Sequence, residues 1–179
     1  LSLSFAFSYT LWAGRQGGGL LQINTKSLQW KTDKRYLDLY AKLPHATVSS
    51  LFTDSKKNIW YGSWDRVLYQ FNGADKKEHV FQQSTADGSF VNDEVLSFAE
   101  DKQGNLWLGG RYNGLQIYNS HNGKFYYYPY DPSRDGTVAG NRINCLFIDE
   151  AGIVWIGTNK GVSISNPLQQ QFKQSFLPK

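Results

Sequence analysis

The sequence predicts an all-β chain of the β-propeller class, built from four-stranded antiparallel blades of which four are present, and three observations predict it. A Trp-x-Gly motif recurs four times, at Trp12-Ala13-Gly14, Trp60-Tyr61-Gly62, Trp107-Leu108-Gly109 and Trp155-Ile156-Gly157, with spacings of 48, 47 and 48 residues. Short apolar runs alternate with Asn, Gly and Asp clusters of the kind that hairpin turns require. No apolar i, i+3, i+4, i+7 run of useful length marks a helix. Four short strands per repeat of this length is the period of a propeller blade. A solenoid and a β-sandwich are the alternatives, and Greek-key strands of a sandwich have no reason to be so self-similar.

The repeats divide residues 1–179, taken as a single partial propeller, into blades of approximately 1–44, 45–91, 92–140 and 141–179. In the first, Leu20 and Asn24 follow Trp12 as expected, but Ala6 stands where later blades carry an acid. Gly17-Gly18-Gly19 is a turn there, since no Gly-Lys-Ser/Thr follows to cradle a phosphate. In the second blade Asp54 precedes Trp60 by six residues, Leu68 follows it by eight, and Asn72 closes the segment. The third is the most legible, with strands over Val95–Glu100, Asn105–Gly110, Leu115–Asn119 and Lys124–Tyr130 and a tight turn at Asp101-Lys102-Gln103-Gly104. The fourth repeats the pattern with Asp149, Trp155, Val162 and Asn166.

A side chain that returns at one place in every blade holds the blade. Trp12, Trp60, Trp107 and Trp155 are therefore expected as core wedges between sheets, the competing role being a ligand platform. The glycine two residues later permits close sheet contact or a bulge. Asp54, Asp101 and Asp149 fit Asx-type hydrogen bonding to a turn better than acid–base work.

The chemistry of an active site is not visible. His45, His79 and His121 lie in different strand contexts, with no His-x-His or His-x3-His spacing, so no metal site and no cofactor are expected. No Gly-x-Ser-x-Gly elbow exists. The three unassigned acids Asp93, Glu94 and Asp135 keep a propeller hydrolase or lyase as the lesser alternative. The formal charge of +4 comes with lysine pairs in turns, Lys56-Lys57 and Lys76-Lys77. No basic stripe alternates with aromatics, which excludes a nucleic-acid partner. Cys145 is the one cysteine, so no intrachain disulfide framework exists. No signal peptide is visible, and no apolar run approaches the length that spans a bilayer, so no membrane contact is expected of this segment.

Recognition belongs where the repeats differ, on loops carried by a rigid scaffold. After the second strand the blades diverge: Arg15-Gln16, Trp64-Asp65-Arg66, Arg111-Tyr112-Asn113 and Asn159-Lys160. Trp64 and Tyr112 offer flat faces for sugar rings, and Arg66, Arg111 and Asn113 offer donors to hydroxyls or an acidic sugar. A second divergent set, Asn92-Asp93-Glu94 and Asn141-Arg142, leads into the first strands. The expected ligand-binding residues are thus Trp64, Arg66, Arg111, Tyr112, Asn113, Asn141 and Arg142, with ordinary loop decoration as the plain alternative.

Asp101-Lys102-Gln103-Gly104-Asn105-Leu106-Trp107-Leu108-Gly109 with Gly114-Leu115 resembles the two-component regulator propeller repeat. Asn141-Arg142-Ile143-Asn144-Cys145-Leu146, followed by Gly152-Ile153-Val154-Trp155-Ile156-Gly157-Thr158, is similar again. The resemblance implies the periplasmic sensor region of a hybrid two-component system of the Bacteroidetes type. There, propellers precede an immunoglobulin-like domain, a membrane helix and a histidine kinase. It implies a non-catalytic module that recognises an oligosaccharide or a protein partner; a purely structural interaction scaffold is the alternative. Family rings have about seven blades. Four blades are therefore expected to form part of a larger ring, with exposed apolar faces covered by self-association or by neighbouring blades.

Overall fold

A computed structural model of the chain describes residues 2–6, 10–15, 19–31, 47–72, 77–91, 94–166 and 171–176. Among the described residues there is no helix, and sixteen strands form four antiparallel sheets of four. The first sheet contains β1 (Ser2–Ala6), β2 (Thr10–Arg15), β3 (Gly19–Asn24) and β4 (Trp30–Lys31). The second contains β5 (Val48–Thr53), β6 (Ile59–Ser63), β7 (Val67–Phe71) and β8 (Glu78–Gln82). The third contains β9 (Val95–Glu100), β10 (Leu106–Gly110), β11 (Leu115–Tyr118) and β12 (Phe125–Tyr128). The fourth contains β13 (Ile143–Ile148), β14 (Val154–Thr158), β15 (Gly161–Asn166) and β16 (Gln171–Phe176). Each is a meander in which neighbours in sequence are neighbours in space, as short turns enforce. The all-β blade architecture expected from the sequence is the one observed. Gly17, Gly18, His45, Lys76, Asn92 and Asp93 lie outside the described residues.

The sheets belong to two compact units, Leu1–Phe81 and Gln82–Lys179. In the first, Trp12 and Leu20 of one sheet meet Val48, Leu51, Ile59, Tyr61 and Tyr69 of the other. Register explains the grouping. Tyr61 sits opposite both Leu51 and Tyr69, so the three share a face, and alternation turns Trp60 to the other side. There Trp60 stacks on Phe81 at 5.8 Å.

The second unit repeats the design. Ala99, Trp107 and Leu115 of the third sheet pack against Ile143, Val154 and Ile156 of the fourth. Gly109 lies on the same face as Trp107, and a Cβ there would fall 2.6 Å from Ile143 Cγ2 and 2.8 Å from its Cβ. The indole thus fills the space between sheets, and the glycine two residues on lets the next sheet approach. Trp-x-Gly is one packing device.

Carboxylates complete it. Trp60 Nε1 donates to Asp54 Oδ2 at 2.8 Å, Trp107 Nε1 to Asp101 Oδ2 at 3.0 Å, and Trp155 Nε1 to Asp149 Oδ2 at 2.9 Å. The other oxygen of each carboxylate accepts a backbone N–H four residues on, from Asn58 (2.7 Å), Asn105 (2.9 Å) and Ile153 (2.9 Å). One side chain therefore closes the hairpin turn and aims the tryptophan. The Trp155 indole and the turn amides hold the Asp149 carboxyl below its ordinary range.

Trp155 departs from the expected role of core wedge. Trp12, Trp60 and Trp107 are 5%, 2% and 3% exposed, whereas Trp155 is 41% exposed. Strands β6 and β10 are buried at every position, while β14 alternates between buried and open. Phe147 and Ile164 sit opposite Trp155, and Val162 sits opposite Gly157 on the same face. Among the described residues no sheet packs on that face, so its indole keeps the carboxylate bond and lacks the burial.

Candidate functional site

One backbone hydrogen bond recurs and assembles the candidate site. Trp64 N–H donates to Thr47 O at 3.1 Å, Arg111 N–H to Glu94 O at 2.9 Å, and Asn159 N–H to Arg142 O at 3.1 Å. The loop after the second strand is thereby tied to the residue that leads into the first strand. The two divergent sets identified separately in the sequence lie at the same end of the second, third and fourth sheets.

In the first unit this end carries Trp64, Asp65 and Arg66, all exposed. Trp64 presents a large apolar ring to solvent, 58% exposed. Arg66 has φ of +67°, a left-handed turn conformation that few non-glycine residues adopt. The Ser63 hydroxyl hydrogen-bonds the Asp65 carboxylate. Beneath the loop, burial with the charges of Asp65 and Glu78 pushes the Tyr69 phenol up to about 12, so it stays neutral in ordinary buffers.

In the second unit Arg111 Nη1 pairs with Glu94 Oε2 at 3.0 Å, with Glu94 largely buried. The guanidinium lies 5.5 Å from the centroid of the Tyr112 ring, and Tyr112 is 61% exposed. Glu94, by hydrogen bond and charge, raises the Arg111 pKa further. Arg111 Nε is enclosed without a partner. On the next sheet Lys160 Nζ sits 4.3 Å over the Tyr130 ring.

The other expected ligand residues are placed differently. Asn113 Nδ2 donates to Val91 O at 3.0 Å, and Asn141 Oδ1 accepts from Tyr130 N–H at 2.8 Å. Asn141 O also accepts the Gly114 amide at 2.8 Å. These groups fasten loops, and Gly114 must be glycine there. Its φ is +80°, and a Cβ would crowd Asn141 Oδ1 and Tyr128 O at 3.1 Å. Arg142 Nε donates to Asn144 Oδ1 at 3.0 Å in an exposed setting. The structure therefore leaves Tyr112 and Arg142 exposed, holds Arg111 partly buried against Glu94, and commits Asn113 and Asn141 to backbone partners.

Of the acids weighed for catalysis, Glu94 is neutralised by Arg111, Asp135 is exposed in a turn, and Asp93 lies outside the described residues. Among the described residues no group of three or more His, Cys, Asp or Glu is placed to hold a metal. Sequence reasoning missed the Glu94–Arg111 pair. Its signal was the 17-residue offset that the backbone bond repeats in every described loop.

Four-stranded antiparallel blades, packed in pairs within each unit, define a propeller-type scaffold. Residues 89–112 and 137–160 match the two component regulator propeller family, so the third and fourth sheets carry that repeat. It is 30% identical over 182 residues to Histidine kinase P4 of Formosa agariphila, a match taking in 92% of this chain and 12% of that protein. The extracellular domain of a hybrid two component system from B. thetaiotaomicron superposes with a TM-score of 0.72 at 19% identity, over 95% of this chain and 22% of the other. Streptogramin B lyase superposes with a TM-score of 0.67 at 13% identity, over 99% of this chain and 54% of the lyase. At such identities the structural likenesses, the lyase's included, concern the fold alone. The chain spans only a small part of its curated relative.

Proposed function

We propose that this chain is a non-catalytic recognition segment in the extracytoplasmic, periplasmic sensing region of a hybrid two-component signalling protein, and that the loops after the second strands of its sheets contact an oligosaccharide. The observation that carries the reading is the pair of exposed rings, Trp64 and Tyr112, each on a loop pinned by a backbone bond at the same end of its sheet. Aromatic rings beside guanidinium groups suit the C–H faces and hydroxyl or carboxylate groups of sugars. The likeness to a histidine kinase sequence supports a signalling context. A neutralised Glu94 supports recognition over acid–base chemistry.

Thermal denaturation against a panel of neutral and acidic glycans tests it. A binding glycan raises the melting temperature, and Tyr112→Ala and Trp64→Ala combined abolish the shift without lowering the unliganded melting temperature. A broad panel without any shift refutes the oligosaccharide reading.

A second reading is favoured by the open face of the fourth sheet, where Phe147 is 63%, Trp155 41% and Val162 38% exposed. The matching face of the third sheet is covered by the fourth. A scaffold that docks another blade, from further chain or another molecule, fits this face. Light scattering of the purified chain is expected to show association that Trp155→Glu abolishes; a monomer at all concentrations counts against docking between copies.

A further inference from the structure

One buried position in the third strand of each sheet carries a polar residue: Tyr69 on β7, Gln116 on β11 and Ser163 on β15. In the third and fourth sheets its oxygen accepts a backbone N–H from the segment that leads into the first strand. Gln116 Oε1 takes the Val91 N–H at 3.1 Å, and Ser163 Oγ takes the Ala139 N–H at 2.8 Å, one repeat further on. The glutamine adds a second bond, Nε2 donating to Ser89 O at 2.9 Å. Phe90, between the two gripped residues, is buried and packs on Phe125 at 5.6 Å. A buried amide is seldom left unpaired, so Gln116 and the main chain of residues 89–91 hold each other in place.

Val91 passes that constraint on. Its carbonyl accepts Asn113 Nδ2 at 3.0 Å, and Asn113 belongs to the loop between β10 and β11. The rest of this loop is fastened by main-chain bonds: Arg111 N–H to Glu94 O at 2.9 Å, Gly114 N–H to Asn141 O at 2.8 Å, and Gly110 N–H to Gly114 O at 2.9 Å. Tyr112 stands between two anchored neighbours, with its ring exposed.

We propose that Gln116 is a positioning residue: acting through Val91 and Asn113, it presets the loop that displays Tyr112, so that the ring is offered from one fixed place instead of from a mobile turn. What the ring contacts rests on the recognition reading above; the fixing of the loop does not. A preset loop loses little freedom on meeting a partner, so on that reading more of the contact energy remains as affinity.

NMR relaxation of the backbone amides in the 179-residue chain tests the assignment without any ligand. In the parent chain the Tyr112 amide is expected at the rigid order parameter of about 0.85. Gln116→Met keeps the side-chain length and removes both polar groups; it should bring Tyr112 below about 0.6 while the β10 amides keep their values. Asn113→Ala cuts the same path and should do likewise, and the double variant should add nothing further. Gln116→Glu keeps an acceptor for the Val91 N–H and should retain order at Tyr112. A side chain that only stabilised the fold would change the unfolding free energy and leave loop order in the folded chain as it was. If Gln116→Met does not fold, Asn113→Ala decides, since Asn113 is only half-buried. A mobile Tyr112 in the parent overturns the proposal. So does an ordered Tyr112 in Asn113→Ala or in folded Gln116→Met, or a Gln116→Glu chain as mobile as Gln116→Met. The glycan panel reads something separate: its failure leaves the positioning standing, and the reverse holds too.

Discussion

Replacing Asp101 by alanine removes the acceptor of four hydrogen bonds at once: Gln103 N–H at 3.0 Å, Asn105 N–H at 2.9 Å, Asn105 Nδ2 at 3.0 Å and Trp107 Nε1 at 3.0 Å. Their losses are not equal. Gln103 is exposed and Asn105 half-exposed, so water can take over at the turn for a few tenths of a kcal/mol to about 1 each. The Trp107 indole is 3% exposed. Its N–H is left buried without an acceptor, at a cost of about 1–3 kcal/mol. A total near 3 kcal/mol follows, or a fall of roughly 6–12 °C in melting temperature for a chain of this size. Asp149→Ala is the internal control. It breaks the same kind of bond, but Trp155 is 41% exposed and its N–H finds water. A clearly smaller loss is expected there. Urea denaturation followed by tryptophan fluorescence, with both variants in parallel, gives the difference. Equal destabilisation would show that the carboxylate acts through the turn alone, and that aiming the indole contributes nothing.

Gly109→Ala forces a methyl onto Ile143 and should cost about 2–3 kcal/mol by parting the third and fourth sheets. Gly136→Ala meets no atom within 4 Å and carries only the left-handed strain of φ +74°, about 1 kcal/mol; urea midpoints of the two variants check the ranking. Acid titration should expose the Asp149 contribution. Its folded pKa lies below the ordinary 3.8, so the stabilisation is complete above about pH 5 and is lost as pH falls through the folded value. Asp149→Asn should show a shallower stability loss between pH 5 and pH 2 than the parent chain; identical slopes would remove the carboxylate from the account. Trp107→Ala should cost about 3–5 kcal/mol, against well under half of that for Trp155→Ala, read from thermal melts at low protein concentration.

The blades were legible because their information is local and repeated. The third sheet needed only turn residues at Asp101–Gly104 and alternating apolar positions on β9 and β10, and its strands fall within two residues of the sequence expectation. The partner of Asp101 was less visible. A constant six-residue offset joins it to Trp107, but nothing local says that an indole N–H points back over the turn. Burial of Trp155 was misjudged for a different reason: exposure depends on whether another sheet lies on the face, a property of the neighbour. The candidate site divided along the same line. Trp64 and Tyr112 were visible as bulky rings in turn segments, whereas the commitment of Asn113 and Asn141 to Val91 O and Tyr130 N–H depends on loops that meet only after the sheets form.

The bond from Trp64, Arg111 or Asn159 back to Thr47, Glu94 or Arg142 is made by main-chain atoms alone. Side-chain identity at all six positions is therefore decoupled from the path of the backbone. A tryptophan, an arginine and an asparagine already occupy the same socket without moving it. Point substitutions at the exposed positions, away from the paired Glu94 and Arg111, can recast what the rim displays while the frame beneath stays fixed, so its surface chemistry can drift at little cost to stability.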